Sequence, residues 1–394
     1  MNAPQCSLKE VTTKITKGTT PTTLGFQFTA SGIPFVRVNN LIGGHVAFKQ
    51  NILYIDTLTD EKLARSRILP NDVLLSMAGT IGRASIVSNN APSMNCNQAV
   101  CIIRCTSELD VRYLKHWLET ADAQRQMSGS KVTGVISNLS LTQIRNLNIP
   151  LPPLSEQKWI AAILDKADAL REKRRQAIAK LDELLQSVFL DMFGDPVTNP
   201  KGWKVVKFGD VTTSRLGKML DKKKQTGEYT KPYLANYNVK WNRFELDELR
   251  EMDFTPADQV EFKLKIGDLL VCEGGEVGRC AIWEEQLQDC YFQKALHRIR
   301  CQKGKCTPEY LLYYMWFMAS GGGYKNFVTS ATIPHLTGIK LKGLNLPLPP
   351  FDMLAKFSKI VLAVKEKRHK TVDSQEKLDT LFASLQQRAF KGEL

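Results

Sequence analysis

The phrase Asn148-Ile149-Pro150-Leu151-Pro152-Pro153 returns 197 residues later as Asn345-Leu346-Pro347-Leu348-Pro349-Pro350, and each copy runs into a long helical stretch. A solenoid repeats every few tens of residues. A period this long duplicates a whole domain together with its connecting helix. A chain that carries one module twice is suited to a target with approximate two-fold symmetry.

The modules themselves repeat. Val11-Thr12-Thr13 before Lys17-Gly18 answers Val211-Thr212-Thr213 before Gly217-Lys218. A short apolar strand entered through proline follows in each copy, Ile33 to Asn40 and Lys231 to Asn238, and ends in Asn-rich turn sequence. The strongest internal match is Asn71-Asp72-Val73-Leu74-Leu75 leading to Gly79-Thr80-Ile81-Gly82-Arg83, against Gly267-Asp268-Leu269-Leu270-Val271 leading to Gly275-Glu276-Val277-Gly278-Arg279. It predicts a turn, a buried strand, a glycine loop and a second strand, with a short helix near Tyr113 and Tyr310 closing each module.

After the proline phrase the apolar residues follow a heptad. The spacing selects Ile160, Ile163, Ala167, Leu170, Ala177, Leu181, Leu184 and Val188 as the seam of the first helix. In the second it selects Phe357, Ile360, Val364, Lys367, Thr371, Ser374, Leu378, Leu381 and Leu385, in the same register. Ser155 and Asp352 are the expected N-caps, and Gly194 and Gly392 the stops. Helices of this length run roughly 58 Å and pack antiparallel. The fold expected is α+β and pseudo-two-fold, with two repeated mixed α/β modules at 1–150 and 197–348. They are joined by an antiparallel coiled coil drawn from segments 151–196 and 349–394.

Hydrophobic content of 43% and charged content of 24% are ordinary for a soluble protein. No apolar run reaches the ~18 residues of a membrane span, and the first residues lack the pattern of a signal peptide. Nine irregularly spaced cysteines read as reduced thiols, so the expected location is cytoplasmic. The net charge of +14 points to a polyanionic partner. Lys and Arg outnumber Asp and Glu 15 to 9 over residues 1–154, 23 to 19 over 194–352 and 9 to 4 over 353–391, whereas 155–193 is balanced. The surplus therefore belongs to both modules and the second helix.

Motifs for chemistry are weak. The Gly-x-x-Gly-Arg loops have neither P-loop nor dinucleotide spacing and are followed by strand-type residues. No Cys-x-x-Cys pair suggests zinc. An adenine methyltransferase needs an Asp/Asn-Pro-Pro-aromatic motif, and a nuclease needs clustered carboxylates beside a lysine; neither is convincing here. The loops instead mix cations with amides, as DNA requires: Lys and Arg for phosphates, Asn and Gln for adenine edges, Arg for guanine. Candidates in the first copy are Lys17, Thr19, Thr20, Arg37, Asn39, Asn40, Arg83 and Lys131. In the second they are Lys218, Lys222, Asn236, Tyr237, Asn238 and Arg279.

With these phrases assembled, the chain resembles the specificity subunits of type I restriction–modification enzymes. The Leu151-Pro152-Pro153-Leu154-Ser155-Glu156-Gln157 entry matches the start of that family's central helix, and the two modules match its target recognition domains. The second entrance departs from the pattern, reading Phe351-Asp352-Met353-Leu354. The resemblance implies a noncatalytic subunit that reads a bipartite DNA target, one domain per half-site. It also implies two methyltransferase (modification) subunits and restriction subunits as partners, with AdoMet, ATP and Mg confined to them. Apolar residues off the heptad seam, Leu185, Phe189, Phe382 and Phe390, are the expected docking surface. An autonomous DNA methyltransferase or nuclease, and a two-module DNA-binding regulator without catalytic partners, are the alternatives.

Overall fold

The computed structural model describes residues 3–47, 51–128, 138–221, 223, 225–325 and 335–394. The chain divides into two compact units, one formed by Met1–Arg175 with Asp373–Leu394, the other by Gln176–Val372. The division falls inside both long helices, Leu154–Phe193 and Phe351–Lys391. Each unit thus combines one module with part of each helix.

In the first unit a six-stranded sheet runs in the order Thr12–Lys17, Val100–Cys105, Val73–Ser76, Ala84–Ile86, His45–Val46, Leu41–Ile42. A three-stranded sheet places Ile33–Val36 between Leu53–Ile55 and Asn95–Cys96, with the last pairing parallel. The second unit repeats the plan. Its main sheet is Thr212–Leu216, Leu296–Cys301, Leu269–Cys272, Cys280–Ile282, and its small sheet places Thr230–Leu234 between Arg250–Asp253 and Tyr291–Phe292. The central strands Val73–Ser76 and Leu269–Cys272 are buried throughout, in keeping with the apolar runs Val73-Leu74-Leu75 and Leu269-Leu270-Val271-Cys272. Both glycine loops are the expected hairpin turns, with Gly79, Gly82, Gly275 and Gly278 all at positive φ.

The proline phrase is a strand in both copies. Asn148–Pro150 pairs with Gln5–Ser7, and Asn345–Pro347 pairs with Val205–Lys207. The Tyr113 hydroxyl donates to the Pro150 carbonyl at 2.8 Å, and Tyr310 donates to Pro347 at the equivalent place. The helices begin one to two residues earlier than the sequence suggests. Glu156 and Met353 already donate to the carbonyls of Pro153 and Pro350, so Ser155 and Asp352 lie inside the first turn and do not cap it. The departure at the second entrance has a structural counterpart. The buried Gln157 amide donates to the carbonyls of Glu108 and Pro152, whereas Leu354, 197 residues on, sits in an apolar core. Gly194 and Gly392 take left-handed conformations at the helix ends, as expected.

The helix seam corrects the heptad assignment. In the first unit Arg171 pairs with Asp379 at 2.6 Å; in the second, Asp182 pairs with Arg368 at 2.9 Å. Each pair is the other displaced by 197 residues. In the first unit Arg175 meets Asp379 while Arg171 meets Phe382, and in the second Asp182 meets Arg368 while Phe189 meets Phe357, so rising numbers on one helix meet falling numbers on its partner. The packing within each unit is therefore antiparallel. Ile160, Ala167, Leu181, Val188, Phe357, Val364, Thr371, Leu378 and Leu385 are buried or half-buried as expected. Leu164, Val361 and Gln375, however, are more buried than half-buried Ile163, Ile360 and Ser374, and Arg171, Ile178, Leu185 and Phe382 are more buried than exposed Leu170, Ala177, Leu184 and Leu381. At every second expected position except Lys367, which is exposed like its neighbour Arg368, the more buried residue is the next one along. Leu185 and Phe382 are 4% and 9% exposed, while Leu170, Leu184 and Leu381 are 57%, 45% and 65% exposed. Adjacent apolar residues such as Leu184-Leu185 and Leu381-Phe382 satisfy a heptad either way. The choice is made by the module packed against the helices, which rewards the residue turned toward it.

That shift removes the expected docking surface. Leu185 and Phe189 belong to the second unit's core, with Phe189 stacked on Tyr310, Tyr313 and Phe317. Phe382 and Phe390 pack on the first unit's core, with Phe390 5.0 Å from the Tyr113 ring. All four serve the chain's own packing. No helix among the described residues is long and apolar enough to cross a membrane.

Candidate nucleic-acid interface

In each module the proline-entered strand ends in a 3-10 turn, Val38–Asn40 or Asn236–Asn238. Its last residue was expected at DNA and is instead internal. Asn40 is 2% exposed; its side-chain oxygen accepts the Arg37 N–H at 2.9 Å and its amide donates to the Ala47 carbonyl. Asn238 is 1% exposed, accepts the Ala235 N–H at 2.9 Å and donates to the carbonyls of Glu245 and Glu248. A buried amide that satisfies backbone groups on both sides holds the turn closed.

The two loop arginines do related work. Arg83 donates to the Leu41 carbonyl at 3.1 Å, and Arg279 donates to the Asn236 carbonyl at 2.9 Å and its side-chain oxygen at 3.2 Å. Arg279 ties the glycine loop to the 3-10 turn and Arg83 ties it to the residue just after the turn, so each guanidinium spends part of its donor set within its own module. Asn236 is tied further, donating to Gly274. Lys218 is also absorbed. Its ammonium contacts the Asp253 carbonyl at 2.6 Å and the Asp258 carboxylate at 2.5 Å. Burial works to raise the Asp258 carboxyl, but hydrogen bonds from Lys218 and Thr255 outweigh it and hold the group below its ordinary value.

Other candidates remain at the surface. Lys17 and Asn39 are exposed, Tyr237 is exposed with its hydroxyl 3.4 Å from the Glu248 carbonyl, and Arg37 donates to the Asn51 carbonyl at 3.0 Å. Thr19 accepts from Arg65 at 3.4 Å. Lys131 and Lys222 lie outside the described residues.

One element went unnoticed in the sequence. The backbone N–H groups of Val100 and Leu296 donate to the carbonyls of Asn97 and Gln293, both at 3.2 Å, closing the same four-residue turn in each copy. The turn is clamped from two sides. Asn97 and Gln293 donate to Val36 and Leu234 of the proline-entered strand, while Thr19 and Lys218 donate to Cys96 and Phe292. A Cβ on Gly18 would lie 1.9 Å from the Cys96 carbonyl oxygen, and on Gly217 2.4 Å from that of Gln293, so only glycine permits the approach. The repeated Gly beside Lys17 and Lys218 was the available signal. Exposed at the tips are Gln98 and Lys294.

Among the described residues no cluster of three or more His, Cys, Asp or Glu could hold a metal. Burial pushes the Cys101 thiol up to about 12 and Cys272 to about 11, far from thiolates.

The comparisons with known proteins agree with this layout. The chain is 23% identical over 389 residues to the type I restriction enzyme EcoKI specificity subunit of Escherichia coli K12, covering 92% of this chain and 82% of that protein. It is 22% identical over 365 residues to the putative MjaX specificity subunit of Methanocaldococcus jannaschii, covering 85% and 81%. The fold is shared with a solved chain described for complex assembly and conformational transition of the type I R-M system, at TM-score 0.62, 19% identity and coverage of 100% and 98%. The type I S subunit from M. genitalium gives 0.55 at 13% identity, covering 99% and 96%. The type I restriction modification DNA specificity domain matches twice, over residues 5–181 and 200–378, and the chain belongs to that family.

Proposed function

We infer that this chain is the noncatalytic DNA-recognition subunit of a type I restriction–modification enzyme, with one module reading each half of a bipartite target. The observation that carries this is the specificity domain matched twice, with both copies presenting the same clamped turn beside the 3-10 turn. Placed on one face of B-DNA, two such modules suit half-sites roughly one helical turn, about 34 Å, apart. Exposed Lys17, Asn39 and Tyr237, with half-buried Thr19 and Arg37, are the candidates we propose to meet DNA; Lys131 and Lys222 are retained on charge alone.

Methylome sequencing of a host carrying the whole system tests this. A bipartite methylated motif is expected, and exchanging residues 1–150 for a relative's module changes one half only. A continuous motif, or a change in both halves, overturns the reading. Modification and restriction subunits are the expected partners, with AdoMet, ATP and Mg on them. The exposed Leu184 and Leu381, at equivalent positions of the two helices, replace the buried residues as the docking surface. Leu184→Glu with Leu381→Glu is expected to abolish co-purification with the modification subunits; a stoichiometric complex rules that surface out.

A further inference from the structure

The two clamped turns hold different side chains at one position. Gln98 and Lys294 each stand directly after the first residue of the turn, two residues beyond strands Asn95–Cys96 and Tyr291–Phe292. Both are exposed, and both are carried by a turn held through backbone bonds to two neighbouring segments. A reading group needs that support, because its specificity depends on arriving in one orientation.

The surroundings differ in a useful way. The Thr20 hydroxyl donates to the Gln98 side-chain oxygen, which leaves the amide N–H groups and one oxygen lone pair for another partner. One donor beside one acceptor matches the major-groove edge of adenine, whose N7 accepts and whose N6 amino group donates. Lys294 is anchored by its N–H to the Lys218 carbonyl at 2.8 Å, and its ammonium lies 3.8 Å from the Met219 sulfur, a weak acceptor. A group with donors alone matches guanine, whose N7 and O6 both accept.

Resting on the reading of the chain as a bipartite DNA-recognition subunit, we propose that Gln98 reads an adenine in one half-site and Lys294 a guanine in the other. Thr20 is then a positioning residue for Gln98 and not a DNA contact.

The test uses the complete system in its host, with methylome sequencing of the native chain and of Gln98→Ala, Lys294→Ala, Gln98→Glu, Thr20→Val and Thr20→Ser. Gln98→Ala is expected to relax a single adenine position in one half-site, with discrimination falling roughly ten-fold to a hundred-fold. Lys294→Ala should relax a single guanine position in the other. Gln98→Glu should move preference at the same position toward cytosine, whose amino group donates to a carboxylate. Thr20→Val should relax the Gln98 position more weakly, and Thr20→Ser should restore it. Three results overturn the proposal: both half-sites unchanged, both variants relaxing the same half-site, or a uniform loss of methylation by an assembled complex, which marks a phosphate contact. A native chain that yields no bipartite motif overturns the functional reading instead, so the two failures are distinct.

Discussion

The joints between module and helices solve one packing problem in two chemical ways. In the second unit Phe189 lies at the centre of an aromatic cluster, with ring centroids 5.6 Å from Tyr310, 5.2 Å from Phe317 and 5.7 Å from Phe357. In the first unit the residue 197 positions away is Gln386, whose amide donates to the His116 carbonyl at 2.8 Å. His116 and Thr120 stand where the second unit has Tyr313 and Phe317, and His116 Nε2 meets the Asp165 carboxylate at 2.7 Å. The anchors Tyr113 and Tyr310 and their proline carbonyls are the same in both. Backbone architecture thus survives duplication, while the buried chemistry around it diverges. An aromatic joint is strengthened by area and insensitive to pH. A polar joint depends on every hydrogen bond being made.

The comparison breaks most visibly at Phe189. Phe189→Ala leaves a cavity inside the aromatic cluster and is expected to destabilise the second unit by about 3–5 kcal/mol, measured by denaturant unfolding with hydrogen exchange to locate the loss. If the loss appears in the first unit, or falls under about 1 kcal/mol, the cluster does not hold that joint. Gln386→Leu keeps the bulk but strips the amide from a buried site. It should cost about 1–3 kcal/mol in the first unit, and a neutral result would show the polar joint to be dispensable.

Acid sharpens the contrast. Burial works to raise the Asp165 carboxyl, but the His116 hydrogen bond and the Arg112 and Lys115 charges outweigh it and hold the group below its ordinary value. A depressed carboxylate contributes stability above its unfolded value, about 4, and that contribution is lost as pH falls through the folded value. Between about pH 5 and 3, exchange protection should therefore fall in Val111–Leu118 before it falls in Pro308–Ser320. Asp165→Asn should remove that difference; simultaneous loss in both helices of the native chain contradicts the assignment.

The smallest effects belong to the symmetric ion pairs. Asp182→Asn breaks an exposed pair with Arg368 and should cost about 0–1 kcal/mol. Arg171→Ala should cost more, because its guanidinium also pairs with Asp168 and lies 4.2 Å from the Phe382 ring centroid. Equal costs in thermal melts would mean that the ring contact adds nothing.

Much of this was legible without coordinates. The 197-residue offset, the two helices with their glycine ends, and the glycine-loop hairpins all rest on local rules of period and backbone freedom, which neighbouring residues state by themselves. The polar candidates were less legible. Asn40, Asn238, Arg83, Arg279 and Lys218 have the side chains of DNA contacts, yet the two asparagines are buried on backbone groups and Arg83, Arg279 and Lys218 each spend donors on groups of their own module. An amide that recognises a base and an amide that closes a turn have the same composition, and only the partner within reach separates them.

The sequence by itself determined the duplication, the family and the class of partner, because repeats, helical period and net charge are properties of order and composition. Tertiary structure alone decided which of two adjacent apolar residues faces inward, as at Leu184-Leu185 and Leu381-Phe382. It also decided which polar side chains are buried on partners within their own module, as at Asn40 and Asn238. Both outcomes depend on contacts between residues far apart in the chain, where burial and hydrogen-bond satisfaction are settled by the neighbour that folding brings into reach.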